Sequence, residues 1–541
     1  MTVDESKTES TEGGRRAQET QETQEPRGGA FHGASMRGMS DVRVFALSAV
    51  YSAVFLFFLS PDSYLYDLYY HSDSAVFFVC GKAWMSGMVP YVDFTDSKGP
   101  LLWLIYGVGY LLSRHSYVGV YYVSILFYAV TLFAAYKLCL LFACRRAAAL
   151  ATVLLPGALL CFVCHFEVRA EDFCYPFETV ALYCLCRCTV RRDGARAAGL
   201  DGAVTGACCA CCVMIKYNIG AAVAVIAAAQ LWLSWRRGTG RRCLAGMCGG
   251  IAAVLLPFAV CFGIYGNTGA FVREYFLNTF LTMRTDGMML HTGSVARVAV
   301  IEGTLLAGVL LFVRTRHEKR MRRAVRVFVP CIVLAAVCIG GAPWPHYPAA
   351  LTPYAVFALL VVAAYVVRRV PRLSARALCG VAAVLAIAPN MGHIITRRWT
   401  SDDTPRTNYY RAAYVMSQIA HPKVLCDGMD VGIGLPAGTL PACKYWIIQA
   451  GATEEMRRGA EAALRAGVPD FVCVSVHDEG EAERMRHAGY VFYCHAPVYF
   501  TVKEDGGTAI AVYGRPGLRL PPDDFRVSRW DVWLKRNIFG I

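Results

Sequence analysis

Asp73, Asp93, Asp96 and Lys98 fall within a stretch of 26 residues in the segment that follows the first apolar run. Further along, Arg169, Glu171 and Asp172 stand together in HFEVRAED, Lys216 sits alone between two apolar runs, and His346 and Tyr347 close the segment GGAPWPHY. Carboxylates beside cations are equipment for polar group transfer, with one carboxylate taking a proton as base and the cations neutralising a phosphate. Each residue also has a plainer use. Asp73 precedes a helical stretch and can be its N-cap, and Glu171 and Asp172 can cap another helix. Asp93 and Asp96 read as turn formers, Lys98 and Lys216 as snorkelling anchors, and His346 as part of an interfacial turn. What raises the set above these uses is a shared side of a membrane.

The elements that carry these residues are membrane spans. Of 541 residues, 56% are hydrophobic and only 17% charged, with a mean hydropathy of +0.39. A soluble enzyme of this size carries nearer a quarter charged residues, so a water-soluble globular protein is excluded. Lys and Arg outnumber Asp and Glu by 54 to 40, but the cations lie in short clusters between apolar blocks and form no basic face for nucleic acid. Most of the 23 cysteines lie inside apolar runs, such as Cys208, Cys209, Cys211 and Cys212, where a thiol serves as a small apolar group. No histidine accompanies them as a metal ligand set would require.

Residues 1–41 are too polar to fold and read as a disordered cytoplasmic tail. The first apolar block then reads as a retained anchor, because no cleavable signal precedes it. Eleven spans are expected, at 42–60, 117–143, 147–164, 173–187, 203–215, 219–235, 244–264, 298–313, 325–342, 347–367 and 376–394. The run Pro100–Leu112 is too short to cross a core of about 30 Å and is placed as a surface helix. With that choice the even-numbered loops hold 21 cations and the odd-numbered loops eight, so the even loops are cytoplasmic. Counting Pro100–Leu112 as a span would break the alternation. The first outer loop, 61–116, then shares the outer face with residues 165–172, Lys216, His346 and Tyr347. After residue 394 the pattern becomes that of a soluble α/β domain, 395–541. Strand runs at Val424–Cys426, Phe471–Val476, Tyr490–Tyr493 and Ala509–Tyr513 alternate there with helical stretches Thr453–Ala466 and Glu479–Ala488.

The stretch His71–Tyr106 resembles the first outer loop of GT-C-fold glycosyltransferases of the family 39 type, related to protein O-mannosyltransferases and the lipid A aminoarabinose transferase. The matching residues are Asp73, then Gly87, Pro90, Tyr91, Asp93 and Phe94, then Lys98, Gly99 and Pro100. Glu171 stands where the family has a second acidic site, Lys216 where it often has a lysine, and His346 and Tyr347 where it often has an HY pair. One departure is Ser74, because many members carry a second carboxylate directly after the first. The resemblance spans roughly residues 42–394. It implies a GT-C-type transmembrane domain of about eleven helices that transfers a sugar, with inversion, from a polyprenyl-phosphate carrier to an extracytoplasmic lipid, glycan or protein at the cell membrane. Asp73 is then the base and Glu171 orients acceptor or base. Lys98, Arg169, Lys216, His346 and Tyr347 face the donor phosphate, with Asp93 and Asp96 supporting the loop. No cofactor is demanded, and a divalent metal stays open because Ser74 replaces one ligand. The closeness of Glu171 to Arg169 predicts an ion pair.

Three other classes compete. A transporter or flippase for a lipid-linked saccharide places ionisable residues near the midplane on broken helices in repeated halves, whereas these spans are nearly free of charge. A polysaccharide polymerase or ligase shares the substrate class. An anchor presenting the outer domain needs neither eleven spans nor acids on one face. The cation count sets the first test: reporter fusions should place residues 61–116 and 395–541 outside the cell, and a C-terminal region reached only from the cytoplasm would overturn the grouping.

Overall fold

The computed structural model describes residues 40–60, 62–65, 72–114, 116–162, 169–191, 194–279, 331, 333–334, 347–398, 404–427, 431–448, 452–474, 479–496 and 510–528. Contacts divide the chain into two units, Met1–Val44 and Phe45–Ile541, and the helices and sheet below belong to the second except for the first residues of α1. Of the expectations from sequence, the tail before residue 40, the span 298–313, His346 and most of the span 325–342 lie outside the described residues.

Long apolar runs become helices because only a helix satisfies its own backbone in lipid. They are α1 (Asp41–Leu59), α4 (Val118–Leu140), α5 (Arg145–Phe162), α6 (Ala170–Val190), α7 (Ala195–Ile215), α8 (Tyr217–Arg236) and α9 (Gly240–Ile264). Between α1 and α4 lie two shorter helices, α2 (Ser72–Met85) and α3 (Pro100–Leu112), the latter with the bounds of the short apolar run seen in sequence. After α9 come a short turn, α10 (Thr268–Phe271), and a π-helix, Val272–Asn278. The 3₁₀ segment Tyr347–Tyr354 leads into α11 (Ala355–Arg369), and α12 (Ala375–Arg398) follows. Among the described residues six helices are long and apolar enough to cross a membrane: α1, α4, α7, α8, α9 and the stretch Ala349–Arg369. The two spans that looked short in sequence, 173–187 and 203–215, lie within helices of 21 residues each.

Helices α7 and α9 touch backbone to backbone. A Cβ on Gly246 would lie 2.0 Å from the carbonyl oxygen of Gly199, and one on Gly250 2.0 Å from that of Ala203. Small residues permit this approach, which dispersion and weak Cα–H contacts reward where lipid offers no hydrophobic drive. Polar contacts fasten neighbouring helices: Arg187 of α6 pairs with Asp201 of α7 at 3.1 Å, and Thr205 of α7 donates to Gln230 of α8 at 2.6 Å. The reading of the spans as nearly free of charge meets one exception in α6. Glu178 is 0% exposed, and neither carboxylate oxygen has a hydrogen-bond partner among the described residues.

The C-terminal region opens with α13 (Thr404–Met416). It continues through β1 (Lys423–Asp427), β2 (Leu440–Pro441), β3 (Ile447–Ile448), α14 (Glu454–Arg465), β4 (Phe471–Val474), α15 (Glu479–His487), β5 (Val491–Ala496) and β6 (Ile510–Gly514). The sheet order is β2-β1-β4-β6-β5, with β3 also on β1. Strands β2, β3 and β4 run parallel to β1, and β6 is antiparallel to both β4 and β5. Leu464 of α14 and Met485 of α15 cover Val472 and Tyr513 of the sheet. Helix α14 is capped by Thr453, whose hydroxyl accepts the Met456 N–H at 3.3 Å. The region is fastened to helix α2 by Lys82, whose ammonium donates to the carbonyls of Gly438 and Thr439. Burial lowers the Lys82 pKa to about 8.

The α7–α9 contact gives a sharp test. Gly246→Val and Gly250→Val force the two backbones apart, a cost of about 1–3 kcal/mol, and should lower the midpoint of thermal inactivation in detergent. Gly249→Val, where an added Cβ meets nothing within 4 Å, should leave it unchanged.

Candidate active site

Asp73 lies in the first turn of α2 and is partly exposed. Among the described residues no hydrogen bond or ion pair holds its carboxylate. Its neighbour Ser74 is buried and hydrogen-bonds the Tyr106 hydroxyl of α3. Burial pushes the Tyr106 phenol well above its ordinary pKa, and the charges of Asp62, Asp172 and Asp73 push it further while the Ser74 bond opposes them. Carboxylates from three separate chain segments thus act electrostatically on one phenol. Asp172 is fixed from two sides, by the Tyr128 hydroxyl at 2.5 Å and by the Arg169 backbone N–H at 3.0 Å. The latter bond makes Asp172 a cap of α6, which is the plainer use the sequence allowed it.

The cations come from two other segments. Lys98 Nζ donates to Ser97 at 2.9 Å and lies 5.5 Å from the centre of the Phe77 ring. Phe77 is one helical turn beyond Asp73, so Lys98 and Asp73 border the same face of α2. Lys216 is the single residue joining α7 to α8, C-cap of one and N-cap of the next, with extended backbone angles of −152° and 104°. Its ammonium meets Glu171 at 2.5 Å, with both residues nearly buried at 6% and 2% exposure. The sequence had not joined these two. The Lys98 loop rests directly on this junction: the Gly99 N–H donates to the Ile215 carbonyl at 3.0 Å, and a Cβ at Gly99 would lie 2.0 Å from the Met214 carbonyl oxygen. Only glycine allows that approach.

Asp93 and Asp96 serve the loop. The Asp93 carboxylate accepts the Val89 N–H at 2.7 Å and Asp96 accepts the Lys98 N–H at 3.2 Å, so both act as turn formers. Between them and α2, Gly87 (φ 91°) ends the helix and Tyr91 holds φ 62°, a strained angle for an aromatic residue. Tyr91 is kept there by rings on three sides, with centroids of Trp103 at 4.8 Å, Phe271 at 5.3 Å and Phe262 at 5.8 Å. A chain of contacts therefore links Asp73 through Phe77 to Lys98, Lys98 through Gly99 to the Lys216 junction, and Lys216 to Glu171, and these linked residues are called the active layer. Of the HY pair, His346 and the Tyr347 side chain lie outside the described residues. Sequence reasoning passed over Asp62, Tyr106 and Tyr128. Asp62 sits in SPDSY, which reads as an ordinary turn, and the two tyrosines lie in apolar runs where nothing marks them as polar partners.

Residues 64–266 match the family model described as dolichyl-phosphate-mannose-protein mannosyltransferase. The fold is similar to that of ArnT from Cupriavidus metallidurans bound to undecaprenyl phosphate (TM-score 0.55) and in the apo state (TM-score 0.57). Each comparison has 12% identity and covers 87% of this chain and 97% of that one. The chain has the GT-C fold. The archaeal oligosaccharyltransferase AglB from Archaeoglobus fulgidus, in complex with an inhibitory peptide and a dolichol-phosphate, has a TM-score of 0.43 at 12% identity, over 92% of this chain and 78% of that one. No curated protein matches the sequence. The GT-C fold agrees with the resemblance carried by Asp73, Pro90, Tyr91, Lys98 and Pro100, and the matched segment contains all of these.

Among the described residues no three Asp, Glu, His or Cys side chains gather as a metal-ligand set. The Glu171–Lys216 pair is the strongest charge contact of the layer and is open to measurement. Lys216→Met should destabilise the protein by about 3–5 kcal/mol, because it strands a buried carboxylate. Adding Glu171→Gln should recover most of that loss, as read from denaturation midpoints of the two single variants and the double.

Proposed function

We propose that this chain is an inverting GT-C glycosyltransferase that moves a sugar from a polyprenyl-phosphate carrier to an extracytoplasmic acceptor, which is a lipid, glycan or protein. In this reading residues 42–394 are the catalytic transmembrane domain and 395–541 an extracytoplasmic α/β domain. The protein sits in the cell membrane with its N-terminus in the cytoplasm. The observation that carries the reading is Asp73: a partly exposed carboxylate with no described partner, in a layer whose other acids are buried or committed to backbone and lysine.

The chemistry follows from that difference. Asp73 accepts the proton of the acceptor nucleophile as its oxygen or nitrogen bonds to the anomeric carbon. The bond from that carbon to the phosphate oxygen breaks on the opposite face, and polyprenyl phosphate leaves with the electron pair. Lys98, whose ammonium has only one described hydrogen bond, keeps protons to offer the departing phosphate. Lys216 is already held by Glu171, so the pair shapes the donor side of the layer and lends Lys98 a fixed floor through Gly99. Arg169, His346 and Tyr347 are assigned to the donor phosphate on the sequence resemblance alone. A lipid carrier suits the location, because its tail stays in the bilayer while its phosphate sits at headgroup depth. A nucleotide sugar does not suit it, since such donors are cytosolic and the transmembrane sequence has no glycine-rich phosphate cradle after a strand.

Purified full-length protein should turn over a polyprenyl-phosphate sugar. Asp73→Asn preserves shape and most capping capacity, so its loss of activity should reach about a hundred- to ten-thousandfold if the residue is the base. Lys98→Ala should raise the donor KM. Activity of Asp73→Asn within about threefold of wild type would remove Asp73 from the mechanism, and efficient transfer from a free nucleotide sugar would defeat the donor assignment.

A further inference from the structure

Glu274 lies in the π-helix Val272–Asn278 and is 3% exposed. A buried carboxyl group stays ionised only where donors repay its lost hydration. Glu274 has three: Lys444 Nζ at 2.6 Å and the Tyr445 hydroxyl at 3.2 Å from the C-terminal region, and Asn278 Nδ2 at 2.8 Å from its own helix. The Tyr445 hydroxyl also lies 3.3 Å from Glu455. Burial and the charges of Glu274 and Glu455 raise the pKa of this phenol, so it keeps its proton for the two acids.

The next residue of the same turn faces the active layer. Tyr275 is fully buried, and its hydroxyl donates to the Val213 carbonyl at 2.5 Å, in the turn of α7 that ends at Lys216. The same hydroxyl is the side-chain atom that a Cβ on Gly99 would meet, at 2.9 Å. One π-turn therefore has Glu274 gripped by the C-terminal region and Tyr275 gripping the wall on which both Lys216 and the Lys98 loop rest. π-turns are rare and recur at functional sites.

We infer that Glu274 is a positioning residue for the donor side of the active layer, held by Lys444 and Tyr445 and acting through Tyr275 on the Val213–Lys216 turn. The inference rests on the proposed function and adds a role for the C-terminal region, which sets the spacing between Lys216 and the Lys98 loop. Simple fastening is already supplied elsewhere. Lys82 donates to Gly438 and Thr439, and Arg273 pairs with Glu455 at 2.6 Å on a more exposed side of the junction. The buried Lys444–Glu274 pair is thus not needed for attachment.

The test uses full-length protein in detergent, with sugar-free polyprenyl phosphate as a binding probe and the donor KM as a second reading. Lys444→Met and Glu274→Gln should each raise the Kd for polyprenyl phosphate and the donor KM about tenfold, the loss expected of one charged hydrogen bond, with kcat nearly unchanged. Tyr275→Phe, which removes the hydroxyl and keeps the ring, should do the same. The exchange Glu274→Lys with Lys444→Glu should recover most of the affinity. Arg273→Ala, which removes the exposed contact with Glu455 but leaves Lys444, Tyr445 and Asn278 on Glu274, should leave Kd and KM unchanged. If wild-type protein binds the probe while Lys444→Met and Tyr275→Phe bind equally well, or if Arg273→Ala weakens binding as much as they do, the inference fails alone. Wild-type protein that neither binds polyprenyl phosphate nor turns over its sugar would defeat the proposed function and this inference with it.

Discussion

The Glu171–Lys216 ion pair is the contact on which the active layer depends. It joins the start of α6 to the one-residue junction of α7 and α8, so a single charge contact fixes three helix ends at the same depth. The Lys98 loop is then laid on that junction through Gly99 and Ile215, and Tyr275 props the turn from the other side. At the opposite ends of α6 and α7, Arg187 and Asp201 form a second pair. Two ion pairs at the ends of adjacent helices fix both spacing and register, which apolar packing against lipid does poorly on its own.

Around this frame the charges are sorted by what already holds them. Asp172 and Glu171 are committed to donors, Asp93 and Asp96 to backbone N–H groups of their own loop, and Asp73 is left partly open to solvent. Next to Asp73 stands Ser74, a buried hydroxyl bonded to Tyr106. The phenol also feels the charges of Asp62, Asp172 and Asp73, which push its pKa up.

Two strained or unusual backbone features lie close to this layer. Tyr91 holds a left-handed angle that its ring tolerates only because Trp103, Phe262 and Phe271 confine it. The π-helix Val272–Asn278 begins at the residue after Phe271, so one aromatic cluster touches both. Strain of this kind persists where surrounding contacts over-determine the backbone, and it is common near functional sites.

The sequence by itself located the long apolar helices, because the length of an apolar run and the cations at its ends answer to the bilayer, but it read the spans 173–187 and 203–215 shorter than the helices Ala170–Val190 and Ala195–Ile215 that contain them. It also marked Pro100–Leu112 as too short to span, and the alternating runs of the C-terminal region as strands, for the same local reasons. Asp73, Lys98 and Glu171 were legible as candidates through their residue types and their spacing in the first loop and at the start of α6. Their partners were not. Glu171 lies 45 residues from Lys216, and Glu274 lies 170 residues from Lys444, and no periodicity or propensity reaches across such distances. Only the tertiary structure decided that Gly99 must lack a side chain against Met214 and that Ser74 bonds Tyr106. Those outcomes depend on which helix ends meet in space, and an ion pair or a close backbone contact leaves no mark in either partner's own stretch of sequence.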